Sequence, residues 1–272
     1  MTASTSGESS DFPQDGTRRA DMNAEQREGA VTIMTFIEAP SRRAVRAGML
    51  LTLTLAAGWT DTLCYLVLGR AWASFMTGNI LFVGISIAQG NTALLLRDVV
   101  AVVLFLVSLT LGSRYLQTLP TRQSMASWRS TLARYLLVEG LILLAFALVW
   151  SLAGNLAQHP AVQVVLLGIA VFGMGLQGAL LGAFNILDVN TVALTGTELL
   201  LGIRLAQRIG RQSVDQPGGT SALFLVVLML AYALAALVVA LTVPWTGIAF
   251  IPCLLVAAAV VVVLLTTRGR GS

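Results

Sequence analysis

Ser74-Phe75-Met76-Thr77-Gly78-Asn79-Ile80 and Val192-Ala193-Leu194-Thr195-Gly196-Thr197-Glu198 decide how this chain is read. Each sets a polar Thr-Gly-Asn/Thr step inside an otherwise apolar stretch. Each also follows a long apolar segment that carries glycine beside a polar side chain, Gly58 with Asp61 and Gly175 with Gln177. The two spacings differ by a single residue, so a one-residue gap aligns them. The chain therefore reads as two related halves dividing near His159.

Composition places both halves in a membrane. Mean hydropathy is +0.82, 56% of residues are hydrophobic and only 11% are charged, too little polar surface for a soluble chain of this size. The net charge of +4 is then no nucleic-acid footprint. All 17 basic residues are arginine, and most lie at the ends of apolar runs, where positive charge sets topology. Cys64 and Cys253 sit inside such runs as small core residues. His159 reads as a loop residue.

Six stretches approach the roughly 20 residues that a bilayer core requires: 48–68, 99–119, 132–153, 161–183, 222–243 and 248–265. Two others, 74–89 and 191–206, are apolar but shorter and carry Thr, Gly, Asn, Glu and Arg. Charge decides between spanning and dipping for these two. If all eight crossed with the N-terminus inside, Arg114, Arg122, Arg129 and Arg134 would flank an outside loop, against the positive-inside rule. If the short segments dip and return, that cluster falls inside with Arg204–Arg211, Arg268 and Arg270. Arg70 and Arg97 alone stay outside. Three spans per half then make the halves run in opposite directions, an inverted repeat of the kind secondary transporters use.

The fold expected is all-α and polytopic, with six full transmembrane helices, two short re-entrant or broken helices and an inverted internal repeat. Residues 1–47 read as a disordered polar cytoplasmic tail, 48–158 as the first repeat, 159–267 as the second, and 268–272 as a short cytoplasmic tail. Irregular backbone at membrane depth is tolerated only where protein or a water-filled cavity surrounds it, so the Thr-Gly steps mark the tips of the dipping segments.

Gly58-Trp59-Thr60-Asp61 followed by Phe75-Met76-Thr77-Gly78-Asn79 resembles the signature of the YoaK-like family of bacterial inner-membrane proteins. So does Gly173-Met174-Gly175-Leu176-Gln177 followed by Thr191-Val192-Ala193-Leu194-Thr195-Gly196-Thr197. The likeness covers residues 48–265 and implies an integral membrane protein of a functionally uncharacterised family. It supplies neither substrate nor catalytic residue. Gly178 departs from the family pattern, which more often has Asn there, and Glu198 and Arg70 are also atypical.

Ionisable residues inside spans are costly, about 2.5–3.5 kcal/mol on insertion scales, which makes them functional candidates. Asp61, Glu139 and Glu198 qualify as proton- or ion-coupling groups. The structural readings set against this are ion pairs: Asp61 with Arg70 or Arg97, Glu139 with Arg114, Glu198 with Arg204 or Arg208. Asp98 and Asp188 lie at segment ends and read as interfacial. The expected pathway for a small solute or ion is lined by Asp61, Thr77, Gly78, Asn79, Gln177, Thr195, Gly196 and Thr197. The alternatives are a structural or assembly protein and, further off, an intramembrane enzyme acting on lipid. No phosphate loop, nucleophile elbow or metal-binding pattern is present in the sequence, so the chain reads as a non-enzyme without cofactor or metal. Partners expected are the lipid bilayer, an unknown small solute or ion and a second copy as homodimer, with no nucleic acid. The expected location is the bacterial cytoplasmic membrane, both termini inside.

Overall fold

The computed structural model describes residues 40–119, 125–183, 194–209, 221–243 and 246–265. The chain divides into units Met1–Arg43 and Ala44–Ser272, and the contacts below belong to the second. The described residues are helical: α1 (Pro40–Val67), α2 (Met76–Ala88), α3 (Thr92–Gln117), α4 (Met125–Ala153), α5 (Pro160–Ala183), α6 (Leu194–Ile209), α7 (Ala222–Thr242) and α8 (Ile251–Leu265). Short 3-10 turns, Gly154–Gln158 and Thr246–Phe250, precede α5 and α8. α1 begins within the segment read as disordered tail, with Pro40 as its first residue, where proline's fixed φ and missing N–H suit a helix start. Residues 1–39 and 266–272 lie outside the described residues, and so does Asp188.

Six helices are long and apolar enough to cross a bilayer: Ala47–Val67, Thr92–Gln117, Ser130–Gln158, Pro160–Gly182, Ala222–Thr242 and Gly247–Leu264. The span in α1 is 56% buried and that in α5 67%, against 22–33% for the other four, so α1 and α5 form the centre. The outward residues of α3 include Leu96, Val103, Leu106 and Leu111, all more than half exposed. In water such a face would aggregate; in hydrocarbon it is the solvated face. The protein is a polytopic membrane protein in contact with lipid.

Two glutamines on α5 establish the relative direction of the central pair. Gln163 donates from Nε2 to the Val67 carbonyl at 3.1 Å, and Gln177 donates to the Leu53 carbonyl at 3.1 Å. Numbers rise on one helix as they fall on the other, so α1 and α5 are antiparallel. α3 runs parallel to α5: Gly168 faces Leu104, and a Cβ at Gly112 would meet that of Ala179 at 2.8 Å. α4 runs antiparallel to α5, since Gly173 faces Leu143 while the Tyr135 hydroxyl donates to the Leu176 carbonyl at 2.9 Å. In the second half, α8 opposes α1, with Gly48 against Val262 and Trp59 Nε1 donating to the Ile248 carbonyl at 3.0 Å. Each repeat's first helix thus packs against outer helices of the other repeat, and the repeats are inverted.

The segment 74–89 dips, as expected. Arg97, near the start of α3, donates from Nη2 to Gln163 Oε1 at 2.6 Å, and Gln163 in turn holds the last residue of α1. α1 therefore ends, and α3 begins, at the same end of the bundle. α2 has 13 residues, about 20 Å of helix, too short to cross a roughly 30 Å core. It returns to α3 through a tight turn in which Gly90 takes φ +64 and Asn91 caps α3 by accepting from Leu94 N–H. Ser86 on α2 donates to Asp98 on α3 at 3.2 Å and fixes the pairing of the two helices.

Candidate functional site

Asp61 lies on the buried face of α1, six residues before the helix ends, or about 9 Å along the axis. Its side chain is 0% exposed. Oδ1 accepts from Ser74 N–H at 2.6 Å, and Oδ2 accepts from Ser74 Oγ at 2.5 Å and from the Tyr232 hydroxyl at 2.7 Å. Ser74 precedes α2, so the chain leaves the end of α1 and folds back down to meet Asp61. Tyr232 comes from α7 in the other repeat. One carboxylate therefore joins three elements: the first span, the dipping connection and the opposite half.

Close backbone approach makes this possible. A Cβ at Gly58 would stand 2.8 Å from the Tyr232 carbonyl oxygen, so only glycine lets α7 lie this near to α1. The equivalent glycine, Gly175, has the Phe105 carbonyl 2.9 Å from its absent Cβ and Ser108 Oγ against the same position. The two motif glycines thus do the same packing work in the two halves.

Asn79 closes the dipping connection on itself. Its Oδ1 accepts from Trp72 N–H at 2.9 Å and its Nδ2 donates to the Trp72 carbonyl at 2.8 Å, while the residue is 0% exposed. This satisfies backbone groups that would otherwise be orphaned at membrane depth. Trp72 stacks on Tyr65 with centroids 4.3 Å apart and meets Phe75 edge-on. Gly78 lies beneath them, where a Cβ would come within 2.6 Å of Phe75 Cδ1. Thr77 is exposed on the outer side of α2.

Gln177 is buried on α5 and reaches the Leu53 carbonyl, eight residues below Asp61 on α1, or about 12 Å. Asp61 and Gln177 therefore occupy related positions on opposite sides of the bundle's middle, not one shared pocket. Thr197 on α6 is fully buried and Glu198 beside it is exposed. Thr195 and Gly196 open α6, but their surroundings lie outside the described residues, as do the side chains of Arg204 and Arg208.

Of the ion pairs read as alternatives, those of Asp61 and Glu139 are not formed among the described residues, and that of Glu198 involves arginine side chains outside them. Asp61 is held by Ser74 and Tyr232, with neither Arg70 nor Arg97 among its hydrogen-bond partners. Arg97 and Asp98, near the start of α3, are buried within the protein, 8% and 3% exposed. Arg97 fits beneath the left-handed Gly69-Arg70 turn, where a Cβ on Gly69 would overlap its guanidinium. Glu139 is fully buried while Arg114 is exposed.

Ser74 and Tyr232 were not among the expected site residues. Tyr232 had a signal: it is a phenol in the middle of an aliphatic span, where a hydroxyl needs a partner. Ser74 opened the quoted motif but was overshadowed by its Thr-Gly step.

Residues 49–267 match a family described as protein of unknown function, DUF1275. The chain is also 26% identical over 154 residues to the UPF0700 transmembrane protein YoaK of Bacillus subtilis (strain 168). That alignment covers 57% of this chain and 64% of the relative, so the match spans under two thirds of that protein. No solved structure matches the chain. With most of its length under the family match, and with six spans and both Thr-Gly motifs inside it, the chain belongs to the DUF1275 family of YoaK-like transmembrane proteins.

Proposed function

We propose that this protein is a proton-coupled secondary transporter for a small solute or ion. It would work in the bacterial cytoplasmic membrane, both termini inside, without cofactor or catalytic chemistry. One observation carries the reading: a fully buried carboxylate, Asp61, ties the dipping connection at Ser74 to the opposite repeat at Tyr232. As a carboxylate, Asp61 accepts from all three donors. Taking up a proton removes the negative charge and makes one oxygen a donor, so one hydroxyl must turn from donating to accepting. The loss of charge-assisted bonds weakens the tie and frees segment 72–89 to shift. A group bound more tightly in one conformation than the other shifts the balance between them, and here the group is the proton. The solute would pass between the Thr77-Gly78-Asn79 and Thr195-Gly196-Thr197 segments, with Gln177 across the repeat boundary.

Hydrogen–deuterium exchange in bilayers tests the coupling. In the wild type, exchange over residues 72–89 should rise as pH falls, after correction for the intrinsic rate, and in Asp61→Asn it should not respond to pH. A parallel assay offers proteoliposomes a mixture of small solutes under an imposed pH gradient. The wild type should accumulate at least one solute by mass spectrometry and Asp61→Asn none. Both atoms of the Asn79 amide and both oxygens of Asp61 are bonded within the protein, which favours a second reading, a purely structural tie. That reading predicts pH-independent exchange and no accumulation, an outcome that overturns the transport proposal.

A further inference from the structure

Among the described residues, Glu139 is the buried carboxyl that no hydrogen bond holds. It lies on the buried face of α4 with Tyr135, Leu136 and Leu143, the neighbours that helical spacing brings above and below it, and it is 0% exposed. Neither carboxyl oxygen has a hydrogen-bond partner among the described residues. α4 packs against α5, α8 and the turns Gly154–Gln158 and Thr246–Phe250.

These four elements carry no acidic or basic residue, and Cys253 is their sole titratable side chain. On α4 itself Tyr135 is the titratable neighbour, and its hydroxyl is directed to the Leu176 carbonyl. Arg134 and Arg114 are exposed. On α1, which packs against α5 and α8, the titratable groups with described side chains are Asp61, Cys64 and Tyr65, and Asp61 is engaged by Ser74 and Tyr232. Arg42, Arg43 and Arg46 open α1, and their side chains lie outside the described residues. Among the described side chains, no cation is hydrogen-bonded to Glu139.

We propose that Glu139 is a proton-binding site at the seam between the two repeats, and that in this conformation the site is filled. A lone carboxylate in hydrocarbon, with no cation and no donor, is among the costliest groups a protein can bury; protonation removes the charge. The ligand is the proton itself, because a metal ion would need several oxygen ligands and no group of three or more metal-ligating side chains occurs among the described residues. Nor is a helix-joining role open to Glu139: unlike those of Asp61, its oxygens hold nothing together. α4 belongs to the first repeat, while α5 and α8 belong to the second. The proton can therefore leave to water only when the repeats part, which makes Glu139 a sensor of that separation. The inference stands whether or not Asp61 couples transport.

Infrared spectroscopy of the purified full-length protein in bilayers reads the protonated carboxyl directly. At neutral pH the wild type should show a carboxylic-acid carbonyl band. It should persist in Asp61→Asn and disappear in Glu139→Gln, whose neutral amide should leave the melting temperature unchanged or raised. Should Glu139→Gln fail to fold, wild-type protein carrying carbon-13 in its glutamate carboxyls gives the same answer, since the band must shift with the label. A spectrum unaltered by Glu139→Gln, or a band that ignores the glutamate label, overturns the proposal.

Discussion

Asp61→Ala is expected to destabilise the folded protein by about 2–5 kcal/mol, taking roughly 0.6–1.7 kcal/mol for each of three intramembrane hydrogen bonds. The substitution strands Ser74 N–H, Ser74 Oγ and the Tyr232 hydroxyl in a region with no water to receive them. Orphaned donors cost more than absent ones. Tyr232→Phe added to Asp61→Ala should therefore recover part of the loss, although Tyr232→Phe alone is destabilising. Equilibrium unfolding in mixed micelles of mild detergent and dodecyl sulfate measures both. Wild-type stability for Asp61→Ala would mean that the tie holds nothing.

The second large effect belongs to the paired glycines. In Gly58→Leu the new Cβ would stand 2.8 Å from the Tyr232 carbonyl oxygen and 3.0 Å from its ring, so α7 must move away from α1. In Gly175→Leu the intrusion falls on Ser108 and on the Phe105 carbonyl. Overpacking of this kind costs about 1–3 kcal/mol, and backbone, unlike a side-chain tip, cannot swing aside. Gly58→Leu also pulls Tyr232 from Asp61, so its loss should exceed that of Gly175→Leu. Gly84→Ala is the control: open space surrounds that position, and alanine favours the helix by about 1 kcal/mol. The same unfolding assay ranks the three. Equal stability for Gly58→Leu and Gly84→Ala would contradict the close α1–α7 contact.

Much of this architecture was legible in the residues. The long apolar runs gave the six spans to within a few residues at most ends, because hydrocarbon thickness sets helix length. The arginine distribution gave the dip of 74–89, because charge reports sidedness. The pairing of Gly58 with Gly175 came from spacing alone. The side-chain partners did not come this way. Asp61 meets Tyr232 across 171 positions, and hydrogen bonds between distant helices leave no periodic trace in one sequence. Asn79 could serve freed backbone or a ligand, and its amide is taken up by the Trp72 backbone seven residues earlier. A polar side chain at a re-entrant tip must first satisfy the freed backbone, and sequence cannot say whether anything is left over. The partners of Arg97 and Asp98 were hidden too: near a span's start such groups are usually wet, but here Gln163 and the Gly69-Arg70 turn cover Arg97, and Ser86 meets Asp98.

The inverted repeat rests on Ser74–Gln89 failing to cross, and the sidedness of Asn91 tests this most directly. Asn91 is exposed in the turn between α2 and α3. A single cysteine replacing it, in a background with Cys64 and Cys253 removed, can be probed with an impermeant thiol reagent on intact cells. Labelling from outside, on the same face as the connection at Gly154–Gln158 and opposite to the termini, is the result expected. Labelling only after the cells are opened would place Asn91 inside, make 74–89 a full crossing, and end the inverted-repeat account.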